Sequence, residues 1–340
     1  MANLSDMTSI QRRTVLGGAL AGLAAAPALR PGTGSRSGVD GLLSLFADTP
    51  VVAVNEGAHH LQDCWDLLAV AMFRPGFDAV VIELGNSRYQ DVADEYVSGG
   101  VVRKSDLQRI WRDTTQSPLD TGDVPVHFRV LSLARALNLF AGRSLRVLLA
   151  DPPVDWTRVH TREDLDTFLM RRDECWADVI TREVLGKGRR CLTVGGGWHF
   201  FRNLPFRNVP VLVEQAYPGS VSVVHTHAMA MTAQAERCVA GWPRPSVVPT
   251  RHSAYGRLPI TELGSLPPGV DPGLTMADIA DHVLFVGHRR DLTSAVGEWE
   301  VYFEPGYWAE LDRRREVTGF PGDLTALRRE GDPAMFPEER

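Results

Sequence analysis

Short, almost continuous apolar runs recur along this chain and alternate with segments whose apolar residues return every three or four positions. The first pattern is typical of strands buried on both faces, and the second is typical of amphipathic helices. The predicted strands are 50–54, 79–83, 145–149, 190–195, 220–224 and 282–286. The predicted helices are about 60–73, 87–97, 105–112, 126–141, 162–186 and 207–216. This alternation predicts an α/β fold, a three-layer sandwich with a central mostly parallel sheet flanked by helices.

Polar segments rich in proline and glycine mark the boundaries of this fold. Residues 29–38 read as a linker, 39–318 as a single α/β domain and 319–340 as a C-terminal tail. Two segments interrupt the alternation inside the domain. Residues 113–125 are predicted to be a loop near the site, and 241–274 a long surface excursion or lid, because long irregular loops in compact domains are often functional.

The first 28 residues predict an export signal. Arg12 and Arg13 precede a short run rich in alanine and glycine, and Ala26-Pro27-Ala28 fits a small-x-small cleavage site. This pattern is typical of twin-arginine signals, and the apolar run is too short to make a good membrane span. We therefore expect a periplasmic or extracellular protein that uses the twin-arginine export machinery; the alternative is an ordinary helix with a chance arginine pair.

The amino-acid composition argues against two classes of ligand, nucleic acid and zinc bound by thiolates. The chain has 340 residues, 44% hydrophobic and 23% charged, with a formal net charge of −6. Its arginines are scattered among acidic residues, which argues against binding nucleic acid through general electrostatics. The four cysteines are widely spaced, so a zinc site built on thiolates is not expected. We expect mostly buried free thiols, with one disulfide as the alternative.

Two strand ends carry the clearest candidate chemistry. Glu56 and His59 follow the apolar run 51–54, with His60 beside them, and Glu83 follows Val80-Val81-Ile82. Ligands of open α/β sheets bind outside the carboxyl ends of the strands. A carboxylate beside an imidazole suits a general base, and the same pair could ligate a metal. The alternative is a helix cap at Glu56 and a packed His59.

Further candidates follow the other strands. Gly195-Gly196-Gly197 leads into Trp198 and His199, and the next candidates are Asp151 and Asp155 after strand 145–149. His225 and His227 could bind a metal or form a polar rim, and Arg172-Asp173 could brace the site through an ion pair. The glycines do not have the spacing of a nucleotide-binding loop. The chain has neither a GxSxG nor an HExxH motif, so serine-hydrolase and zincin chemistry have no support.

The order of these motifs resembles the erythromycin esterase / ChaN-like superfamily, which includes haem-binding uptake and Tiki-type proteins. Asn55-Glu56-Gly57-Ala58-His59 is similar to its Gly-Glu-x-x-His element, with Asn in place of Gly, and Ile82-Glu83 is similar to its second element. Further similar segments are Tyr89-Gln90-Asp91, Tyr96 to Gly99, Leu107, Trp111, Arg172-Asp173, Gly195 to His199 and Asp281 to His288.

The resemblance implies an α/β sheet fold and leaves several functions open. The first hypothesis is a hydrolase of an ester, lactone or related acyl bond, in which His59 activates water, Glu56 and Glu83 orient it, and His199 binds the oxyanion or substrate. Substrate contacts would come from His60, Asp151, Asp155, Tyr89 and Trp198. The second is a metal-dependent hydrolase with Glu56, His59, Glu83 and His199 as candidate ligands. The third is an exported haem-binding protein that uses Tyr89, His59 or His60, and the fourth is a biosynthetic cyclase or dehydratase.

Overall fold

The computed structural model describes residues 36–57, 59, 61–117, 124–230, 232–295 and 304–319. Eight strands form one sheet in the order β1-β7-β8-β6-β2-β5-β3-β4. The strands are β1 Arg36–Ser37, β2 Val51–Asn55, β3 Ala79–Asn86, β4 Arg146–Asp151, β5 Cys191–Gly195, β6 Val221–Thr226, β7 Ser246–Pro249 and β8 His282–Phe285. All pairings are parallel except those of β7 with β1 and β8.

Eleven α-helices in the described residues flank this sheet. They are α1 Gly38–Ser44, α2 Gln62–Met72, α3 Gln90–Val97, α4 Lys104–Arg112, α5 Pro125–Phe140, α6 Arg162–Leu169, α7 Arg172–Val179, α8 Val209–Ala216, α9 Ala233–Val239, α10 Met276–Ile279 and α11 Pro305–Thr318. Within the part of the chain that the structure describes, none of these helices combines the length and apolar composition that crossing a bilayer requires.

Alternate residues of the central strands face two separate apolar cores. In β2, Val52 and Val54 pack with helices α1 to α5, whereas Val51 and Ala53 pack with helices α7 to α10. All residues of β2 are buried, as expected for a parallel strand covered on both faces. The molecule therefore has helix, sheet and helix layers, which confirms the predicted fold class.

The six predicted strands are all present, with ends that differ from the prediction by three residues or fewer. The predicted helix 162–186 differs, because it is divided at Met170-Arg171 into α6 and α7, followed by a π-turn over Ile180–Val184. Arg171 has backbone angles of φ −107° and ψ 5°, which end the α-helical run. The break starts α7 at Arg172, whose side chain turns towards the sheet edge described below.

Two segments predicted to be irregular contribute to the sheet. Residues 36–38 of the predicted linker form β1 and begin α1, because β1 pairs with β7 and the Gly38 N–H donates to Pro245. The predicted excursion 241–274 contains β7, and its Tyr255 and Ile260 side chains are fully buried. An apolar pair as short as Val247-Val248 gives too little pattern to predict a strand. The export signal 1–28 and residues 29–35 and 320–340 lie outside the described residues.

The four cysteines are unpaired in the structure. Cys64 and Cys191 are buried, and burial raises the pKa of both thiols above the ordinary range. Such thiols stay protonated and behave as small apolar groups at neutral pH.

Candidate active site

Three neighbouring strands bring Glu56 and Glu83 to one edge of the sheet, although β3 continues three residues beyond Glu83. Strand β5 lies between β2 and β3, and all three are parallel. Glu56 follows β2 directly, and its N–H donates to the Gly195 carbonyl at the end of β5 at 3.0 Å. Glu83 follows Ile82, the last β3 residue that pairs with β5. The end of β5 therefore forms a floor between the two carboxylates.

Glu56 holds the imidazole of His59 from one side. The Glu56 side chain is buried, and its Oε1 lies 2.8 Å from His59 Nδ1. Its Oε2 accepts a hydrogen bond from Trp65 Nε1 at 2.6 Å. A carboxylate at Nδ1 favours the imidazole form that carries a proton there, which leaves Nε2 as the nitrogen that exchanges protons. The His59 side chain remains 30% exposed, so this ring lies at the mouth of the site.

The surroundings of His59 stabilise its protonated form. Burial alone lowers the pKa, but the hydrogen bond to Glu56 and the negative charges of Glu83 and Glu56 act more strongly together. They raise the pKa of His59 to about 9. A deprotonated His59 is therefore favoured only on the alkaline side of neutrality.

Glu83 is almost completely surrounded by hydrogen-bond donors. Its Oε1 accepts from Gln116 Nε2 at 2.8 Å and from the Arg172 guanidinium, and its Oε2 accepts from the Gly196 N–H at 2.5 Å. Burial would raise its pKa, but the charges of Arg172 and His199 hold it well below the ordinary value. Glu83 is therefore a carboxylate whose oxygens are already occupied, which suits an anchoring role better than proton transfer.

The three glycines after β5 let the backbone reach these side chains. A Cβ atom on Gly195 would lie 2.2 Å from Trp176 and 2.5 Å from Glu83 Oε2. A Cβ atom on Gly197 would lie 2.6 Å from Asn55 Nδ2. Real side chains do not approach so closely, so these positions require glycine for space. The sequence singled out the triplet, but only the structure shows which side chains it accommodates.

His199 is the second imidazole that lies close to Glu83. Its Nδ1 lies 2.6 Å from Asp173 Oδ1, its Nε2 lies 3.4 Å from Glu83 Oε1, and its ring packs against Trp176. Burial opposes its protonation, but the charge of Glu83 and the bond to Asp173 raise the pKa of His199 to about 9. At neutral pH this group is an imidazolium, which can donate a hydrogen bond to an anion.

Four further polar residues support Glu83: Arg172 and Asp151, which the sequence analysis named as candidates, and Thr115 and Gln116, which it did not name. Arg172 lies between Glu83 and Asp151, with its Nε 3.4 Å from Asp151 Oδ1. Asp151 accepts from the N–H and hydroxyl of Thr115 at 2.7 and 2.6 Å, and burial raises its pKa to about 6. Thr115 and Gln116 lie in the segment 113–125, which was predicted to be a loop near the site. The segment has no periodicity, so its sequence did not indicate which of its side chains reach the site.

The other predicted substrate contacts belong to different surroundings. The Tyr89 hydroxyl donates to Asp113 at 2.9 Å, and Asp155 pairs with Arg88 at 3.1 Å and caps the turn at Thr157. The hydrogen bonds and ion pairs of Tyr89 and Asp155 are therefore made with residues other than Glu56, Glu83 and His199. Trp198 is half-buried and packs edge-on against Phe201, 5.5 Å between ring centroids. His60 lies outside the described residues.

His225 and His227 do not share a ligand position. His225 is buried, with Nε2 3.0 Å from the Tyr255 hydroxyl and Nδ1 3.2 Å from Asn55 Nδ2. Burial lowers its pKa to about 3, so it is neutral. His227 instead lies 3.2 Å from Glu236. The two rings therefore serve separate hydrogen-bond networks.

Glu56, His59 and Glu83 are close enough to one another to be considered as a metal-binding group. One ligand atom from each lies within 4.8 Å of the others. However, the oxygens of both glutamates already accept hydrogen bonds from N–H donors, including the cationic Arg172. A divalent ion would have to displace these donors and lie close to a guanidinium. The donor set thus fits a metal poorly.

Comparisons with known proteins give a distant structural likeness only. No family model and no curated protein matches the chain. A mutant of the erythromycin esterase EreC in its open conformation has a TM-score of 0.49 and 11% identity, over 74% of this chain and 97% of that chain. A protein from Bacillus cereus gives 0.45 and 10%, over 72% and 89%. The type III effector HopBA1 gives 0.42 and 15%, over 77% and 98%. We take no residue role from these similarities.

Proposed function

We propose that the protein is a hydrolase that cleaves an ester, lactone or related acyl bond with water activated by His59. The observation that carries this proposal is the Glu56–His59 pair, in which a buried carboxylate fixes one ring nitrogen while the ring stays partly exposed at the sheet edge. A base placed in this way can accept a proton from a bound water molecule. The hydrogen-bond partners of Glu56, Glu83 and His199 among the described residues include no serine or cysteine.

Side chains of this protein can accept and return every proton that the proposed reaction transfers. His59 Nε2 takes a proton from water as the water oxygen attacks the carbonyl carbon, and a tetrahedral oxyanion forms. His59 then returns the proton to the leaving oxygen as the acyl–oxygen bond breaks. The imidazolium of His199 and the guanidinium of Arg172 supply positive charge on the side of Glu83, where it would stabilise the oxyanion. Cyclisation or dehydration would use the same acid and base groups on a different substrate.

Glu83 contributes by holding its neighbours. One carboxylate joins the Gly196 N–H, Gln116, Arg172 and His199, which belong to three different segments of the chain. Fixed donors lower the barrier because they need little reorganisation as charge develops. We therefore assign Glu83 a positioning role and keep proton transfer for His59.

The metal-dependent alternative rests on the proximity of Glu56, His59 and Glu83. The occupied carboxylate oxygens favour direct activation of water, so we expect full activity after exhaustive treatment with a chelator. A haem-binding role fits less well, since Tyr89 already donates to Asp113 and has Arg109 over its ring. We expect no Soret shift when the protein is titrated with haem.

The test is a comparison of ester, lactone and macrolide hydrolysis by the wild-type protein and the His59→Ala variant. General base catalysis typically contributes roughly 10²–10⁴-fold, so kcat should fall by that factor. The control is His160→Ala, which removes an exposed histidine. Unchanged turnover in His59→Ala would contradict the proposal, and activity lost only with the chelator would favour the metal-dependent alternative. Absence of turnover on every substrate would count against acyl hydrolysis.

A further inference from the structure

A cavity of about 720 Å³ is lined by residues that come after β6 and β8 in the chain. In the sheet, these two strands lie beyond β2 on the side away from β5. Its lining contains three exposed arginines, one histidine and one glutamate: Arg237, Arg289, Arg290, His288 and Glu236. The arrangement plays no part in the hydrolytic mechanism above. We call it the arginine-lined cavity.

The single carboxylate of this cavity is already satisfied by other donors. Glu236 Oε2 lies 2.7 Å from His288 Nδ1, and its Oε1 accepts from the Arg289 N–H at 2.9 Å and lies 3.2 Å from His227 Nε2. Although burial opposes ionisation, these bonds hold the pKa of Glu236 below its ordinary value. Glu236 is therefore an anion held by imidazoles and backbone, and it forms no ion pair with the arginine side chains.

The arginine side chains of this cavity form few ion pairs with carboxylates. Among the described residues, no ion pair joins the guanidinium of Arg237 or Arg289 to a carboxylate. Arg290 is 85% exposed and has only a 3.6 Å contact with its neighbour Asp291. This positive surface contrasts with the net charge of −6 of the whole chain. Arginines grouped without partner acids favour an anionic ligand.

The chain connects this cavity to the candidate active site. After Arg289 and Arg290 the chain runs to Thr293, whose carbonyl accepts from the Gln62 N–H at 2.9 Å and whose own N–H donates to Asp63. Ser294 forms a bridge with Leu61, two residues after His59. The cavity and the imidazole therefore lie along the same edge of the sheet, joined by one short segment.

We propose that the arginine-lined cavity binds an anionic group of the substrate, a carboxylate, phosphate or sulfate carried at a distance from the bond that is cleaved. This inference rests on the proposed hydrolysis for its catalytic consequence, whereas binding of an anion does not depend on it. The substrate class is accordingly an ester or lactone with a negatively charged terminus.

The first measurement is direct binding of inorganic phosphate, by titration calorimetry at low ionic strength. The test variant is Arg237→Gln/Arg289→Gln/Arg290→Gln. The control is Arg182→Gln/Arg251→Gln/Arg257→Gln, which removes three exposed arginines elsewhere and loses the same charge. Phosphate affinity should fall about five-fold for each cavity arginine removed and should weaken with added salt. Equal affinities for the test and control variants would overturn the proposal.

The second measurement uses p-nitrophenyl monoesters of dicarboxylic acids from succinate to sebacate, each compared with the neutral alkyl ester of equal length. We expect kcat/KM to favour the anionic ester at one range of lengths, and the triple variant to lose this preference while it keeps turnover of the neutral ester. No preference at any length would overturn the proposed substrate class. Phosphate binding that depends on the arginines, without turnover of any ester, would support the anion site and contradict the proposed hydrolysis.

Discussion

The protonation state of His59 decides at which pH the candidate active site can work. A general base must be neutral before it accepts a proton, and the carboxylates around His59 raise its pKa to about 9. The same carboxylates that hold the ring in place thus restrict the deprotonated form at neutral pH. We expect the acid limb of the profile of kcat/KM against pH to lie near pH 9.

The Glu56→Gln substitution tests this dependence. Removing the negative charge at Nδ1 destabilises the imidazolium, so the pKa of His59 should fall roughly one to two units towards the ordinary 6.5. The acid limb should move to lower pH by the same amount, while the maximal rate decreases because the ring is held less firmly. The exposed acid Asp91, replaced in Asp91→Asn, provides the control. An acid limb that stays in place would exclude His59 as the group that titrates.

Sequence patterns located some of these side chains and not others. Glu56 and Glu83 could be found because apolar runs end immediately before them, and the carboxyl ends of parallel strands share one edge of the sheet. Thr115 and Gln116 could not, because their direction depends on a loop that contacts a helix 197 residues later in the chain. Tyr89 was predicted to contact the substrate because its segment resembles a family motif. In the structure its hydroxyl donates a hydrogen bond to Asp113.

At the scale of elements, helix α11 holds in place the loop 113–117, which supports the site. Arg314 is buried, with Nη1 2.7 Å from both the Arg112 carbonyl and the Ser117 hydroxyl, and Nη2 2.7 Å from Asp113. Its guanidinium also lies over the Trp156 ring, 4.7 Å from the centroid. The loop 113–117 includes Thr115 and Gln116. The last helix thus fixes donors that reach Asp151 and Glu83.

We expect Arg314→Met to weaken both folding and catalysis. Arg109 and Tyr89 still bind Asp113 in this variant, but the buried Arg112 carbonyl and Ser117 hydroxyl lose the donor that Arg314 supplies, which should lower the free energy of unfolding by about 2 kcal/mol. The hydrolytic rate of the folded fraction should also fall, because Gln116 and Thr115 lose their support. Urea unfolding and kcat measured on the same sample provide the two values. Arg103→Met, at an exposed pair with Asp106, should change neither, and a stable Arg314→Met variant with full activity would refute the coupling.

At the scale of the whole molecule, the buried charges make stability depend on pH. The pKa of His199 rises on folding from 6.5 to about 9, so its contribution is complete below pH 6.5 and is lost as the pH rises towards 9. Wild-type protein should therefore lose stability between these values, with roughly 2 kcal/mol of the loss due to His199.

The variant His199→Asn should show a shallower decline over the same interval. Its free energy of unfolding, measured in urea at pH 6.5 and about pH 9, gives the difference directly. The exposed His160, replaced in His160→Asn, should leave the wild-type slope unchanged. Equal slopes for all three proteins would mean that His199 titrates with an ordinary pKa in the folded state.

The order of strands has a consequence for how the chain reaches this structure during its synthesis. Strands β2 and β3 are adjacent along the chain, yet β5 separates them in the sheet. A growing chain that ends before residue 190 contains Glu56, His59 and Glu83 but lacks the strand and the glycines that fit between them. Pairings across such long separations form slowly. The proposed activity would thus require that the second half of the polypeptide has emerged, and we expect a fragment that carries both glutamates and His59 to be inactive.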